Sequence, residues 1–415
     1  MSFPKYPKYR DSGVEWLGEV PEHWEVVPLK HVVDLINGAP FKPTEWSDTG
    51  VPIIRIENLN GSEDYNYFQG EIAFRHMVNR GDLLFGWSGN RGTSFGPFIW
   101  VGPEPCVLNQ HIFRVVTKSI DRDPLFWILR AVTAHVEEKA HGIIGMVHIT
   151  KGDLGSIKVP IPPFRDRNTM SRFLNREVSQ IDRLIAEQQR FIKLLGEERR
   201  AVTVGAVTQG LSRNINTKAS GTGWADDIPC HWKVLPLKRL VSMKSGETIT
   251  AANITETGEY PVLGANGLRG YTSAYTHEGE FVLIGRQGAL CGNINYSKGR
   301  FWASEHAIVV TPRMSLNTRW LGEMLRTMNL GQYSVSAAQP GLSVQFIENI
   351  STMVPPVEEQ DSIADVLLNE WARIDAIVEE ASRAIALLLE RRTALITAVV
   401  TGKIDVRNLA QPEAA

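Results

Sequence analysis

The chain has 415 residues, 43% of them hydrophobic, and 44 basic against 46 acidic side chains give it a net charge of -2. That length predicts two to four domains with real apolar cores, and the balanced charge excludes nucleic-acid recognition by bulk positive charge, leaving local patches or partner subunits to supply it. Three scattered cysteines (Cys106, Cys230, Cys291) without any Cys/His cluster predict free thiols and no metal site, and the lack of a signal-like or membrane-length apolar run predicts a cytoplasmic chain that touches no membrane.

The first element in chain order is a motif written twice. Ser12, Gly13, Trp16, Pro21, His23, Trp24, Val26, Pro28, Leu29 and Lys30 recur 208 positions later as Ser220, Gly221, Trp224, Pro229, His231, Trp232, Val234, Pro236, Leu237 and Lys238. Ten identities within nineteen positions, two of them tryptophans, predict one unit built twice. His23 and His231 each precede a tryptophan and are read as structural anchors, since a catalytic role would require two identical active sites that nothing else supports.

Residues 31–160 and 239–353 come next in the two copies. Gly, Asn and Ser punctuate short apolar runs such as Gly81-Asp82-Leu83-Leu84-Phe85 and Phe281-Val282-Leu283-Ile284, which predicts strands and turns. Helices are predicted over 126–136 and 320–328. The segment 86–92 is read as a flexible loop after an apolar strand, presenting Trp87, Ser88, Asn90 and Arg91. Arg286 and Gln287 hold the equivalent place in the second copy, with Asn266, Arg269, Asn293 and Asn295 on nearby Gly-rich turns. Arg pairs bidentately with guanine and Asn or Gln with adenine, so these residues, together with Lys42, Arg55 and Asn58, are the candidate DNA contacts. Taken singly, each such loop is more often an ordinary solvent-exposed turn than a reader of bases.

Each copy closes on a proline pair, Ile161-Pro162-Pro163 and Val354-Pro355-Pro356, which ends an extended segment before a helix. After the first, Leu174, Val178, Ile181, Ile185, Ile192 and Leu195 follow the alternating steps of a coiled-coil seam; 193 positions later the seam returns as Leu367, Trp371, Ile374, Val378, Ile385 and Leu388, with Arg199 matched by Arg392. Roughly forty residues at about 1.5 Å rise predict helices about 60 Å long. Ile161 and Val354 stand where an adenine methyltransferase motif would carry Asp or Asn, and no Gly-rich cofactor loop, phosphate loop or catalytic constellation is found, so no catalytic residue is assigned. Two classes of function stay open on the residues alone: a DNA reader, and a two-headed protein-binding scaffold with a coiled-coil spacer.

Residues 6–24 (Tyr6 to Trp24), the run Val354-Pro355-Pro356-Val357-Glu358-Glu359-Gln360, Ile374-Asp375-Ala376-Ile377 and residues 395–406 resemble the specificity (S) subunits of type I restriction-modification systems. The resemblance spans essentially the whole chain. It implies an α+β fold in which two mixed target recognition domains, 31–160 and 239–353, are joined by two long antiparallel coiled-coil spacer helices with a pseudo-two-fold internal repeat. Domain limits follow as 1–163, a spacer at 164–212, 213–356, a second spacer at 357–407, and a tail at 408–415. Double-stranded DNA read as a bipartite asymmetric site, and two modification (M) subunits docked on the spacers, are the implied partners; restriction (R) subunits are a further partner that the resemblance allows. S-adenosylmethionine and ATP are then expected in those partners, with no cofactor in this chain. One departure stands out: Phe164-Arg165-Asp166-Arg167 replaces the acidic-Gln turn seen as Glu359-Gln360, and predicts a less regular start to the first spacer helix and a different docking surface there.

Overall fold

The computed structural model describes residues 3–140, 146–212, 215–334 and 341–409. The chain divides into two compact units, residues 1–188 with 383–415, and residues 189–382. Both divisions fall inside long helices, Phe164–Gln209 and Val357–Val400, so each unit owns a part of each.

In the first unit a four-stranded antiparallel sheet runs in the order Gly96–Ile99, Leu83–Gly86, Ile112–Thr117, Val33–Asn37. A second sheet runs Asn66–Phe68, Val51–Ile54, Cys106–Leu108, Met77–Val78, with the middle pair parallel. The strand Leu83–Gly86 is buried on both faces: Leu83 and Phe85 join the helix-side core, whereas Leu84 joins a separate core with Ile54, Trp100 and Ile112. Burial on both sides is why its sequence reads as an unbroken apolar run with no alternation. Helix Arg122–Lys139 closes the first face, its Leu125, Ile128, Leu129 and Val132 packing in the core that also takes in Leu174 and Val178 of one long helix and Leu395 and Val399 of the other.

The second unit repeats this topology strand for strand. Its main sheet runs Val241–Ser245, Ala307–Pro312, Val282–Gly285, Ile294–Tyr296, and its second sheet Gly267–Thr272, Tyr260–Gly264, Arg300–Ala303, His277–Glu278, again with a parallel middle pair. Val282 and Ile284 face the helix-side core and Leu283 the opposite one, where it meets Phe301 and Val309. The predicted helices are present as Arg122–Lys139 and Thr318–Thr327.

The duplicated motifs bracket each module because they are stitched together. Strand Glu25–Pro28 pairs antiparallel with Lys158–Ile161, and Lys233–Pro236 pairs with Ser351–Val354. The Trp16 indole donates to the Lys158 carbonyl (3.2 Å), as Trp224 does to that of Ser351 (3.0 Å). Gly13 and Gly221 both recur because their φ values of 65° and 66° lie in the left-handed region. Trp24 and Trp232 are fully enclosed, and each indole N–H finds an acid in the first turn of the helix that follows: Trp24 Nε1 to Asp166 Oδ2 (3.3 Å), Trp232 Nε1 to Glu359 Oε2 (3.0 Å). His23 and His231 reach the same carboxylate oxygens at 3.0 and 2.8 Å, which makes both histidines anchors.

This corrects the reading of residues 164–167. The first long helix starts at Phe164, in register with Val357, and is as regular as its copy. Asp166 takes the part of Glu359. Arg167 stands where Gln360 does and holds the same neighbourhood with opposite polarity: Gln360 accepts from the Asn317 N–H (3.0 Å), whereas Arg167 donates to the Ser119 carbonyl (3.1 Å).

Within the second unit the helix segments run antiparallel, since Arg199 pairs with Asp375 (2.6 Å) and Thr203 accepts from the Trp371 indole (3.2 Å). The first unit carries the equivalent ion pair, Arg392 with Asp182 at 3.2 Å. Leu174, Val178, Ile181, Ile185, Leu195, Leu367, Trp371 and Ile374 are buried, and Ile192, Val378, Ile385 and Leu388 half-buried, so every seam residue is withdrawn from solvent at least in part. Among the described residues no helix is long and apolar enough to cross a membrane.

Replacing Asp166 with Ala strands the buried Trp24 N–H and should cost about 1–3 kcal/mol, whereas Asp166→Glu, which copies Glu359, should retain most of the stability. Because a chain of two units need not unfold in one step, hydrogen-exchange protection of residues 21–28 is the measurement. Burial pushes the Cys106 thiol up to about 12, so at pH 8 it holds almost no thiolate. A maleimide should label exposed Cys230 in the native chain and Cys106 only after unfolding.

Candidate nucleic-acid interface

The recognition candidates of the second unit converge. The turn between Tyr260–Gly264 and Gly267–Thr272 brings Asn266 to Asn293, whose side-chain amide donates to it at 3.1 Å, and Asn295 donates to the Ala265 carbonyl at 3.1 Å. Gly285, just before Arg286, donates its N–H to the Asn293 carbonyl (2.8 Å), and a Cβ there would lie 2.9 Å from the Ala265 oxygen. Glycine is required at 285 by that approach. Asn266, Arg269 and Gln287 are exposed; Arg286, Asn293 and Asn295 are half-buried. Two turns and one strand end thus present amides and guanidinium groups on one patch.

In the first unit the segment after Leu83–Gly86 is not the flexible loop expected. Ser88–Asn90 is a strand paired antiparallel with Met146–His148. Trp87 is half-buried: its indole N–H donates to the Gln110 carbonyl (2.9 Å), and its ring packs against Phe113, His111 and His148 with centroids 5.7, 5.3 and 4.8 Å away. A large ring that can cover Phe113 holds the backbone in place. Arg91 is exposed and donates to the Glu137 carbonyl of the neighbouring helix (2.6 Å), while Asn90 lies at the exposed turn and Ser88 beside Met146.

Trp87 and Arg286 occupy one structural position. The Trp87 N–H donates to the His111 carbonyl (3.2 Å) and its own carbonyl accepts from Ile149 (3.0 Å); Arg286 does the same with His306 (2.8 Å) and Leu342 (3.0 Å). The frame is shared and the side chain differs.

The remaining candidates separate. Lys42 is exposed at the start of a single turn, Pro43–Glu45. Arg55 lies over the Trp46 ring (5.1 Å) and pairs with Glu57. Asn58 is corrected from contact to scaffold: it is buried, its side-chain oxygen accepts from the Arg55 N–H (2.9 Å), and its amide donates to the Ser62 and Asp64 carbonyls (3.0 and 2.9 Å), which spends both of its donors within its own loop. Sequence reasoning did not single out His148, or His111 as a site residue; the only signal was that His111 and His306 share a place before a valine-rich strand.

A family model described as the type I restriction modification DNA specificity domain matches residues 21–190 and again 229–379. The chain belongs to this family. As a type I specificity subunit it is the non-catalytic DNA-recognition member of its system. It is 43% identical over 151 residues to the Escherichia coli EcoprrI specificity subunit, a match that spans 35% of this chain and 37% of that one. To the Escherichia coli EcoBI specificity subunit it is 22% identical over an alignment of 441 residues, covering 96% of this chain and 90% of the relative. A solved structure from work on complex assembly and conformational transition of the type I R-M system shares the fold, with a TM-score of 0.63 at 16% identity over 92% of this chain and 98% of that one. The two matched segments of this specificity subunit are the two repeats, each holding one Trp87 or Arg286 position.

If Arg286 reads a base edge, Arg286→Ala should cost about 1–3 kcal/mol and relax one position of the target, leaving the others unchanged; binding to a panel of single-base duplex variants measures this.

Proposed function

We propose that this specificity subunit reads a bipartite, asymmetric double-stranded DNA site, one half through each unit, and that its long helices set the gap and dock two modification subunits. The observation that carries this reading is the single backbone position filled by Trp87 in one unit and Arg286 in the other, inside otherwise matching sheets. A shared frame with different side chains suits two modules that recognise different sequences, because hydrogen-bonding side chains specify bases while the frame only positions them. In this reading the modification subunits supply S-adenosylmethionine and methylate adenine N6, restriction subunits supply ATP-dependent cleavage where the system has them, and the complex works in the cytoplasm. Exposed Leu184, Phe191 and Leu194 on the first long helix, and Leu387 and Leu389 on the second, support docking of a partner, since apolar side chains outside the seam gain from being covered.

Sequencing the methylome of cells that express this chain with its modification subunit should reveal one adenine-methylated site in two parts separated by unspecified bases. A continuous palindrome would overturn the reading. Inserting two heptads into each long helix should lengthen the gap and leave both half-sites as they were; an unaltered gap would show that the helices do not set it.

A further inference from the structure

The second unit contains a cleft that the recognition residues do not explain. It has a volume of about 700 Å³ and lies between helix Thr318–Thr327 and the long-helix segments that carry Arg199 and Trp371. Four arginines line it, Arg199, Arg200, Arg319 and Arg326, against the single carboxylate of Glu323. That carboxylate is 3% exposed and already engaged, accepting from Arg326 Nε (3.1 Å) and from the Tyr296 hydroxyl (2.7 Å). Burial and the Glu323 charge push the Tyr296 phenol above its ordinary range, so it stays a donor.

The arginines are held in defined orientations. Arg319 lies over the Tyr296 ring at 3.9 Å and Arg199 over the Trp371 ring at 5.1 Å. Tyr296 can lie there because residue 322 is glycine, where a Cβ would come 2.2 Å from the phenol oxygen. A guanidinium stacked by its face keeps its N–H edge for oxygen acceptors, and carboxylate and phosphate both accept two bonds from that edge. Arg199 spends its edge on Asp375 (2.6 Å) and Arg326 on Glu323 and the Ile294 carbonyl, which leaves Arg200 and Arg319 to take a phosphate. Asp375 and Glu323 offset two of the four arginines, so the local excess of positive charge rests on Arg200 and Arg319.

The position of the cleft indicates whose phosphate it takes. Asn295 forms part of its wall and also donates to Ala265 in the candidate recognition patch. Arg326 donates to the Ile294 carbonyl (3.1 Å), between Asn293 and Asn295. Protein–DNA interfaces place backbone contacts beside base contacts, the first fixing register and the second specificity. We propose that this cleft grips the phosphodiester backbone of DNA next to the half-site read by the second unit. The proposal rests on the DNA-reading function above. The first unit has a smaller cleft, about 240 Å³, where Arg392 stands at the place of Arg199 and Thr393 at that of Arg200, with Arg130 and Glu137 also in the lining, so the grip belongs to the second unit.

The test uses the full chain assembled with its modification subunit, and fluorescence anisotropy on target and non-target duplexes over a salt series. The double variant Arg200→Ala/Arg319→Ala should weaken both duplexes alike, by about tenfold, and lower the slope of log affinity against log salt by about 1 to 2. Arg200→Lys/Arg319→Lys should restore most of the slope, and the methylated sequence should not change in either variant. Unaltered affinity and slope in the alanine variant would overturn the proposal, as would a changed methylation sequence, which would make these residues base readers. Loss of the modification subunit with normal DNA binding by the residual complex would also overturn it, and would assign the cleft to an acidic partner surface. Failure of the unaltered complex to bind any duplex would instead overturn the DNA-reading function itself.

Discussion

A buried tryptophan N–H that must find an acceptor ties each module of this protein to the helix that follows it. Trp24 and Trp232 are enclosed, and water cannot satisfy their indoles, so an acid in the first turn of the next helix does so. The same oxygen takes a histidine ring, and the strand that begins after the tryptophan pairs with the strand that ends at the proline pair. Opening motif, closing strand and helix start become one joint. Everything between them is free to vary provided that its two ends return to that joint.

That freedom is visible in the two central strands. Leu83–Gly86 and Val282–Gly285 are each buried between two cores, which constrains their side chains to apolar residues and fixes where each strand ends. The residue just past the end is held by the same two backbone hydrogen bonds in both units, and its side chain is half-buried at the edge of the core. It can be an indole that stacks on Phe113 or a half-buried arginine. A rigid frame that hands over to a variable residue is how one fold can serve two specificities.

Much of the fold could be read without coordinates. The doubled motif, the proline pairs and the two seams rest on periodicity and on identities a fixed distance apart, and both long helices begin where those signals place them. The site was less accessible. Asn58 has the composition of a contact residue, but its amide is consumed by its own turn. The segment after Gly86 looks like a Gly-rich loop, but it is a strand because Met146–His148, more than fifty residues away, pairs with it. Asp166 looked like a departure from the family turn because its neighbours differ, although its carboxylate does the work of Glu359.

By itself the sequence determined that one frame is built twice, that each copy ends in a long amphipathic helix, and which family the chain resembles, since these properties are written in short-range patterns and in recurrence. Tertiary structure decided which polar side chains remain available. Trp87 and Arg286 prove equivalent only through hydrogen bonds to residues far along the chain, and the arginine cleft draws on four separate segments, around residues 200, 295, 323 and 371. Availability is a property of surroundings: a donor buried beside its own acceptor and the same donor at a strand end look alike in the sequence, and only the packing of distant segments tells them apart.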